Sequence, residues 1–209
     1  LLNWTFYSGD PDFQVISWFD EPLLWIDEAF NYTQDGPATF EYSDDYKVWT
    51  FKIRDDLYWH DGEPVTAEDW AFSYEIIGHP DYDGVRYDSS FTIIEGMEEY
   101  HAGEADTISG IEVIDEKTLQ ITYKNPTPSL LAGGIWPYAT PKHVFEGIEV
   151  AEMSESDPVR KNPIGFGPFI VDSITPGESV VYKKNENYWQ GEPNLDEVIL
   201  RVVDPSVVA

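Results

Sequence analysis

No cysteine occurs in the 209 residues. Disulfides, thiolate metal sites and a cysteine nucleophile are therefore excluded within this chain. Positive charge is scarce too: 12 Lys and Arg stand against 40 Asp and Glu, a formal net charge of −28. Nucleic acid needs a basic surface, so that class of partner is excluded. Direct adhesion to anionic lipid is disfavoured for the same reason. Long-range attraction favours cationic partners, basic peptides among them, and weakens with salt. The same charge serves solubility in an extracellular or salty medium. No run of about 18 apolar residues occurs, so nothing reads as a membrane span, and no basic, apolar signal peptide opens the chain. His60, His79, His101 and His143 show neither i, i+4 pairing nor His-Glu-x-x-His spacing. A Gly-x-Ser-x-Gly elbow and a phosphate-binding glycine loop are both missing. Among 40 acids some pair always suits glycoside cleavage, so such a pair carries no weight. No enzyme activity, metal or cofactor is expected.

What the sequence does hold is aromatic bulk: 8 Trp, 13 Tyr and 11 Phe, enough for a sizeable core. The stretch from Trp49 to Tyr74 organises it. Trp49, Phe51 and Ile53 alternate with Thr50, Lys52 and Arg54, the pattern of a half-buried strand. Asp61-Gly62 and Pro64 then break regular structure. Thr66 is placed to cap a helix, with Asp69 three residues on completing a capping box. Glu68 and Asp69 in the first turn complement the helix dipole. Trp70, Phe72 and Tyr74 supply packing.

Around this unit the chain reads as hairpins and short helices. Trp4 to Tyr7 is expected as a short strand. Ala38–Tyr42 and Lys47–Arg54 form one hairpin about Ser43-Asp44-Asp45. Helical spacing of Phe91, Ile94, Met97 and Tyr100 predicts a helix over 89–101. Ile111–Val113 and Leu119–Tyr123 make a second hairpin. Leu130-Leu131 begins a short helix that Gly133-Gly134 ends. Thr140 is expected to cap a turn of helix opened by Pro141. Residues 154–168 are a polar connection. Phe169–Ile174 and Ser179–Lys184 form a third hairpin about Pro176-Gly177-Glu178, and Val198–Val203 is a last strand. The fold class is mixed α/β with mainly antiparallel sheets and short helices.

Several of these segments resemble the signature of the family 5 extracellular solute-binding proteins, the peptide- and nickel-type binding components of bacterial ABC importers. Thr50-Phe51-Lys52-Ile53-Arg54, Trp59-His60-Asp61-Gly62 and Thr66-Ala67-Glu68-Asp69 match it in order. Glu21-Pro22-Leu23 resembles the family's Glu-x-Leu, Gly165-Phe166-Gly167-Pro168-Phe169 its Gly-Thr-Gly-Pro-aromatic, and Asn185-Glu186-Asn187-Tyr188-Trp189 its Asn-x-x-Tyr-Trp. Two stretches, 156–163 and 174–179, resemble the oligopeptide-binding branch in Gram-positive bacteria. The resemblance implies the first lobe of a two-lobed, periplasmic-binding-protein-like fold. Residues 1–34 would be a ligand-facing segment, 35–163 an outer subdomain, and 164–209 a return to the ligand-facing sheet. The second lobe would lie beyond Ala209, and both chain ends read as cuts from a longer protein.

It also implies capture of extracellular oligopeptides between two lobes and delivery to an ABC permease, by a monomer held at the cell surface through a lipid anchor outside this chain. An oligosaccharide or metal-chelate ligand, or an acidic surface-adhesion role, are the alternatives. Ligand contacts are expected on loops facing the missing lobe: Trp136, Tyr138 and Phe166 first, then Trp18, Asp20 and Glu21. Trp and Tyr beside Pro and Gly are awkward as pure core, since each needs a polar outlet, although core or hinge roles account for them too. Asp81-Tyr82-Asp83-Gly84 resembles part of a calcium loop, but Val85 and Arg86 occupy the next two positions and break the register.

Overall fold

The computed structural model describes residues 1–126, 130 and 134–203. Burial along the organising stretch follows its alternation. β2 (Val48–Ile53) buries Trp49, Phe51 and Ile53 and leaves Lys52 exposed. β1 (Ala38–Tyr42) pairs with it antiparallel, Tyr42 opposite Trp49. β3 (Ile111–Asp115) and β4 (Thr118–Thr122) form the second hairpin, and β4 lies on the free side of β2, giving the order β1-β2-β4-β3. α2 (Ala67–Gly78) packs across this sheet with Trp70, Tyr74 and Ile77 buried. Each such side chain contributes about 1.5–3 kcal/mol through the apolar surface it removes from water.

The capping box is present. The Thr66 hydroxyl accepts the Asp69 N–H at 3.2 Å, and the Asp69 carboxylate accepts the Thr66 N–H at 2.8 Å. Asp69 does more than cap. It is buried and also accepts the Trp59 indole N–H at 3.1 Å and the Lys142 N–H at 2.8 Å. One carboxylate thus ties the helix start to loops on two sides.

A second antiparallel sheet, β5-β6-β7, is built from β5 (Phe169–Thr175), β6 (Ser179–Lys184) and β7 (Glu197–Arg201). α1 (Asp10–Phe19) lies on it, and Trp4, Ile16 and Phe19 share a core with Phe169, Val180 and Tyr182. The Tyr182 hydroxyl donates to the Val15 carbonyl at 3.0 Å. A third cluster gathers Phe6, Ile76, Phe145, Met153 and Val159.

Four local expectations are corrected. Residues 4–7 are a turn, not a strand: Phe6 and Tyr7 both donate to the Asn3 carbonyl, and the Asn3 side chain accepts the Thr5 N–H. The helix over 89–101 is two pieces, α3 (Ser89–Thr92) and α4 (Met97–His101). Between them Ile94 bridges to Tyr123, Glu95 donates to Thr122, and Gly96 takes a left-handed φ of 77°. Sheet pairing wins there over helical continuation, although Phe91, Ile94 and Met97 are all buried. Near 140 the turn is a 3-10 helix, Lys142–Val144, with Pro141 itself at the cap. The Thr140 hydroxyl is occupied by Thr5 at 2.9 Å and Ser73 at 3.0 Å. The polar connection holds α6 (Asp157–Arg160), and α5 (Val150–Met153) precedes it. Of the short helix expected to begin at Leu130-Leu131 and end at Gly133-Gly134, residues 131–133 lie outside the described residues. Among the described residues no helix is long and apolar enough to cross a membrane.

Candidate ligand-binding groove

The segment Gly134–Tyr138 has no regular structure, bends at Ile135 and is fixed from behind. Tyr32 holds Ile135 twice: its hydroxyl accepts the N–H at 2.8 Å and donates to the carbonyl at 3.3 Å. The Trp136 carbonyl accepts from the Trp70 indole at 2.8 Å and the Tyr74 hydroxyl at 3.1 Å. The Pro137 carbonyl accepts the Leu23 N–H at 2.7 Å. With its carbonyls spent on the core, this segment presents side chains. They line an open groove of about 730 Å³ together with Trp25, Ile26 and Tyr32. Asp88 and Ser90 add polar groups to its lining, though Asp88 is engaged in capping α3. Half-buried aromatic walls with few polar groups suit peptide side chains or sugar faces.

The structure divides the six candidate residues. Trp136 and Tyr138 line the groove, their rings edge-to-face at 5.2 Å. Tyr138 also stacks on buried Trp4 at 4.3 Å. Glu21 stands behind the groove. Its carboxylate accepts the Trp189 indole N–H at 2.6 Å and the Tyr188 hydroxyl at 3.1 Å, and Trp189 lies 5.6 Å from Trp25 in the wall. Burial pushes the Glu21 carboxyl up to about 7, against those two hydrogen bonds.

The other three do not reach the groove. Trp18 packs edge-on against Phe169 at 5.7 Å on the second sheet. Asp20 is 4% exposed and accepts the Glu21 N–H at 3.1 Å and the Phe166 N–H at 3.4 Å. Burial raises its carboxyl well above the ordinary range, opposed by the Phe166 and Glu21 N–H groups. Phe166 lies in the core. It is 1% exposed, edge-on to Trp59 at 5.4 Å, and has no surface to offer a ligand. The aromatic between two glycines is bulk for the core. Sequence reading missed Trp25 and Tyr32 as wall residues; an aromatic at the right depth carries no local signal of which side it faces.

The motif residues form a seam between the sheets. His60 Nδ1 accepts the Gly165 N–H at 3.3 Å, which leaves Nε2 as the proton-bearing nitrogen, 3.1 Å from the Gly167 carbonyl. Burial pushes the imidazole down to about 4, opposed by that carbonyl and by Asp61. The Asn185 amide donates to the same Gly167 carbonyl at 3.1 Å, and the Gly167 N–H donates to the Phe19 carbonyl at 2.9 Å. A Cβ on Gly165 would press into the Phe19 carbonyl, and one on Gly167 would sit 2.8 Å from the same carbonyl. His-Asp-Gly, Gly-x-Gly-Pro and Asn-x-x-Tyr-Trp therefore meet as architecture. Among the described residues no group of three or more His, Asp or Glu is placed to hold a metal ion.

Two antiparallel sheets and an open groove walled by aromatic side chains are the form of a ligand-binding module. The chain belongs to the bacterial extracellular solute-binding proteins, family 5, whose model matches residues 25–209. It is 32% identical over 187 residues to the oligopeptide-binding protein OppA of Lactococcus lactis, covering 87% of this chain and 31% of that relative. Lactococcal OppA complexed with an endogenous peptide superposes with a TM-score of 0.89 at 29% identity, over 97% of this chain and 40% of that one. NikZ from Campylobacter jejuni in complex with Ni(L-His) gives a TM-score of 0.77 at 27% identity, over 97% of this chain and 37% of that one. The chain thus spans about a third of the length of the curated relatives it matches.

Proposed function

We propose that this chain is part of the substrate-binding component of an ABC importer that captures oligopeptides outside the cell and delivers them to a membrane permease. The chain supplies one lobe, with 1–34 and 164–209 as its ligand-facing part and 35–163 as its outer subdomain. Ligand is held by closure of a second lobe, without covalent chemistry. The working protein is a monomer, anchored to the cell surface by lipid. Trp136 and Tyr138 bear on the ligand directly. Glu21 acts through Trp189 and Trp25, setting the wall they form.

The observation that carries this reading is the groove itself. Its wall is rigid at the backbone and aromatic at the surface, so it can hold side chains of many kinds while peptide backbone is read elsewhere. A likeness to peptide-bound OppA supports the same ligand class. The likeness to NikZ favours a metal chelate as the second reading.

The test is native mass spectrometry of the full-length protein purified from cells. Mixed peptides are expected, and Trp136→Ala should weaken peptide binding about tenfold or more while the circular dichroism spectrum is unchanged. A co-purified nickel chelate or sugar would overturn the peptide reading, and unaltered affinity in Trp136→Ala would overturn the groove.

A further inference from the structure

A second pocket shares no residue with the aromatic groove. Its volume is about 550 Å³, within the roughly 300–1,000 Å³ range that takes small organic ligands. The floor is apolar: Phe72, Phe145, Ile148, Val150 and Met153, the outward side of the third core cluster. Phe72 and Phe145 stand with ring centres 6.3 Å apart at 53°; Phe72, Ile148 and Val150 are half-buried and keep surface at the pocket, while Phe145 and Met153, each 2% exposed, back it.

The rim is charged with one dominant sign. Glu63, Glu68, Glu146 and Glu149 line it, opposed by Lys142 and His143. Both opposing groups are already engaged, Lys142 with Glu68 at 3.2 Å and His143 with Asp61 at 2.7 Å. Among the described residues Glu63, Glu146 and Glu149 enter no ion pair. The pocket also borders the start of α2, where Glu68 and Asp69 offset the positive end of the helix dipole.

An apolar floor under uncommitted carboxylates selects by charge as well as by shape. An ammonium at the rim meets Glu146 and Glu149, and its apolar body covers the half-buried Phe72, Ile148 and Val150. A carboxylate on the same body would be desolvated among like charges. We infer that this pocket is a second binding site, for a small organic cation with an apolar body. The inference does not rest on the peptide reading of the groove.

The test uses the whole protein labelled with 13C at the methionine methyls. Met153 lies in the pocket floor and Met97 in a different core cluster. Their signals are assigned with Met153→Leu and Met97→Leu. The probe is 4-phenylbutylamine, with 4-phenylbutanoate and 4-phenylbutanol as controls of the same body. The amine is expected to shift the Met153 signal saturably and leave Met97 in place. The butanoate should do neither, and the alcohol should bind more weakly than the amine. Glu146→Gln with Glu149→Gln, both on an exposed loop, should weaken the amine about tenfold, whereas Trp136→Ala should not change it. No Met153 shift up to the solubility limit of the amine would overturn the site. Equal binding of all three probes, or unchanged affinity in the double glutamine variant, would overturn the selection for cations.

Discussion

His60 offers the sharpest quantitative test of the seam. Its two ring nitrogens face a fixed donor and a fixed acceptor: the Gly165 N–H and the Gly167 carbonyl. Protonation would set an N–H against an N–H in a buried site. The imidazole is pushed from 6.5 down to about 4, a difference of about 3 kcal/mol between its charged and neutral forms. Since the folded value lies below the unfolded one, the unfolded chain holds the extra proton between them. This contribution is complete above about pH 6.5 and is lost as pH falls toward 4. Glu21 acts in the opposite sense over an overlapping window, so the protein's own pH profile mixes the two. Comparison with His60→Gln separates them, because glutamine keeps a donor and an acceptor and does not titrate. Urea unfolding followed by tryptophan fluorescence should show the wild type losing about 3 kcal/mol relative to the variant between pH 7.5 and 4. Imidazole 15N spectra should show the Nε2–H tautomer at neutral pH. A flat difference, a midpoint near 6.5, or the Nδ1–H tautomer would refute the reasoning.

Glu21→Gln should show the reverse dependence. The carboxyl is raised from 4.5 to about 7, so its contribution is present below 4.5 and lost as pH rises through 7; the variant should gain about 2–3 kcal/mol on the wild type between pH 4.5 and 8, read from urea midpoints. Gly165→Ala should cost about 2–3 kcal/mol because its Cβ meets the backbone of Phe19. Gly62→Ala, at φ +95° in open space, should cost only about 1 kcal/mol. Equal costs for these two glycines in denaturant melts would remove the packing account. Asp69→Ala should cost about 3–5 kcal/mol by stranding the Trp59, Thr66 and Lys142 donors, against about 1 kcal/mol for Thr66→Ala.

The sheets were legible in the sequence because alternation is a local signal with a global meaning. Trp49, Phe51 and Ile53 could only be one buried face, and Thr66 with Asp69 announced the helix behind it. Elements failed where a distant partner decided. Ile94 and Glu95 left their helix to pair with Tyr123 and Thr122 at the end of β4, 29 and 27 positions on, a partner that local spacing does not reveal. Trp4 and Phe6 went into cores through turns that Asn3 closes. For the groove, bulk and neighbours were readable but direction was not. Trp136 and Phe166 both sit beside glycine or proline; one lines the groove and the other fills the seam. The family motifs were the clearest signal in the chain, and they proved to be joinery. Residues that hold an architecture together are constrained by many partners at once, whereas a wall that takes varied ligands is free to change.

The bond from Tyr182 to Val15 closes a loop of 167 positions. α1 has its hydrophobic face against strands that are translated long after it. A ribosome adding about 5–20 residues each second would take on the order of ten seconds to deliver them. For that interval α1 lacks the strands that bury its apolar face. This core is therefore completed only when β5 and β6 have been made, however early α1 itself is delivered.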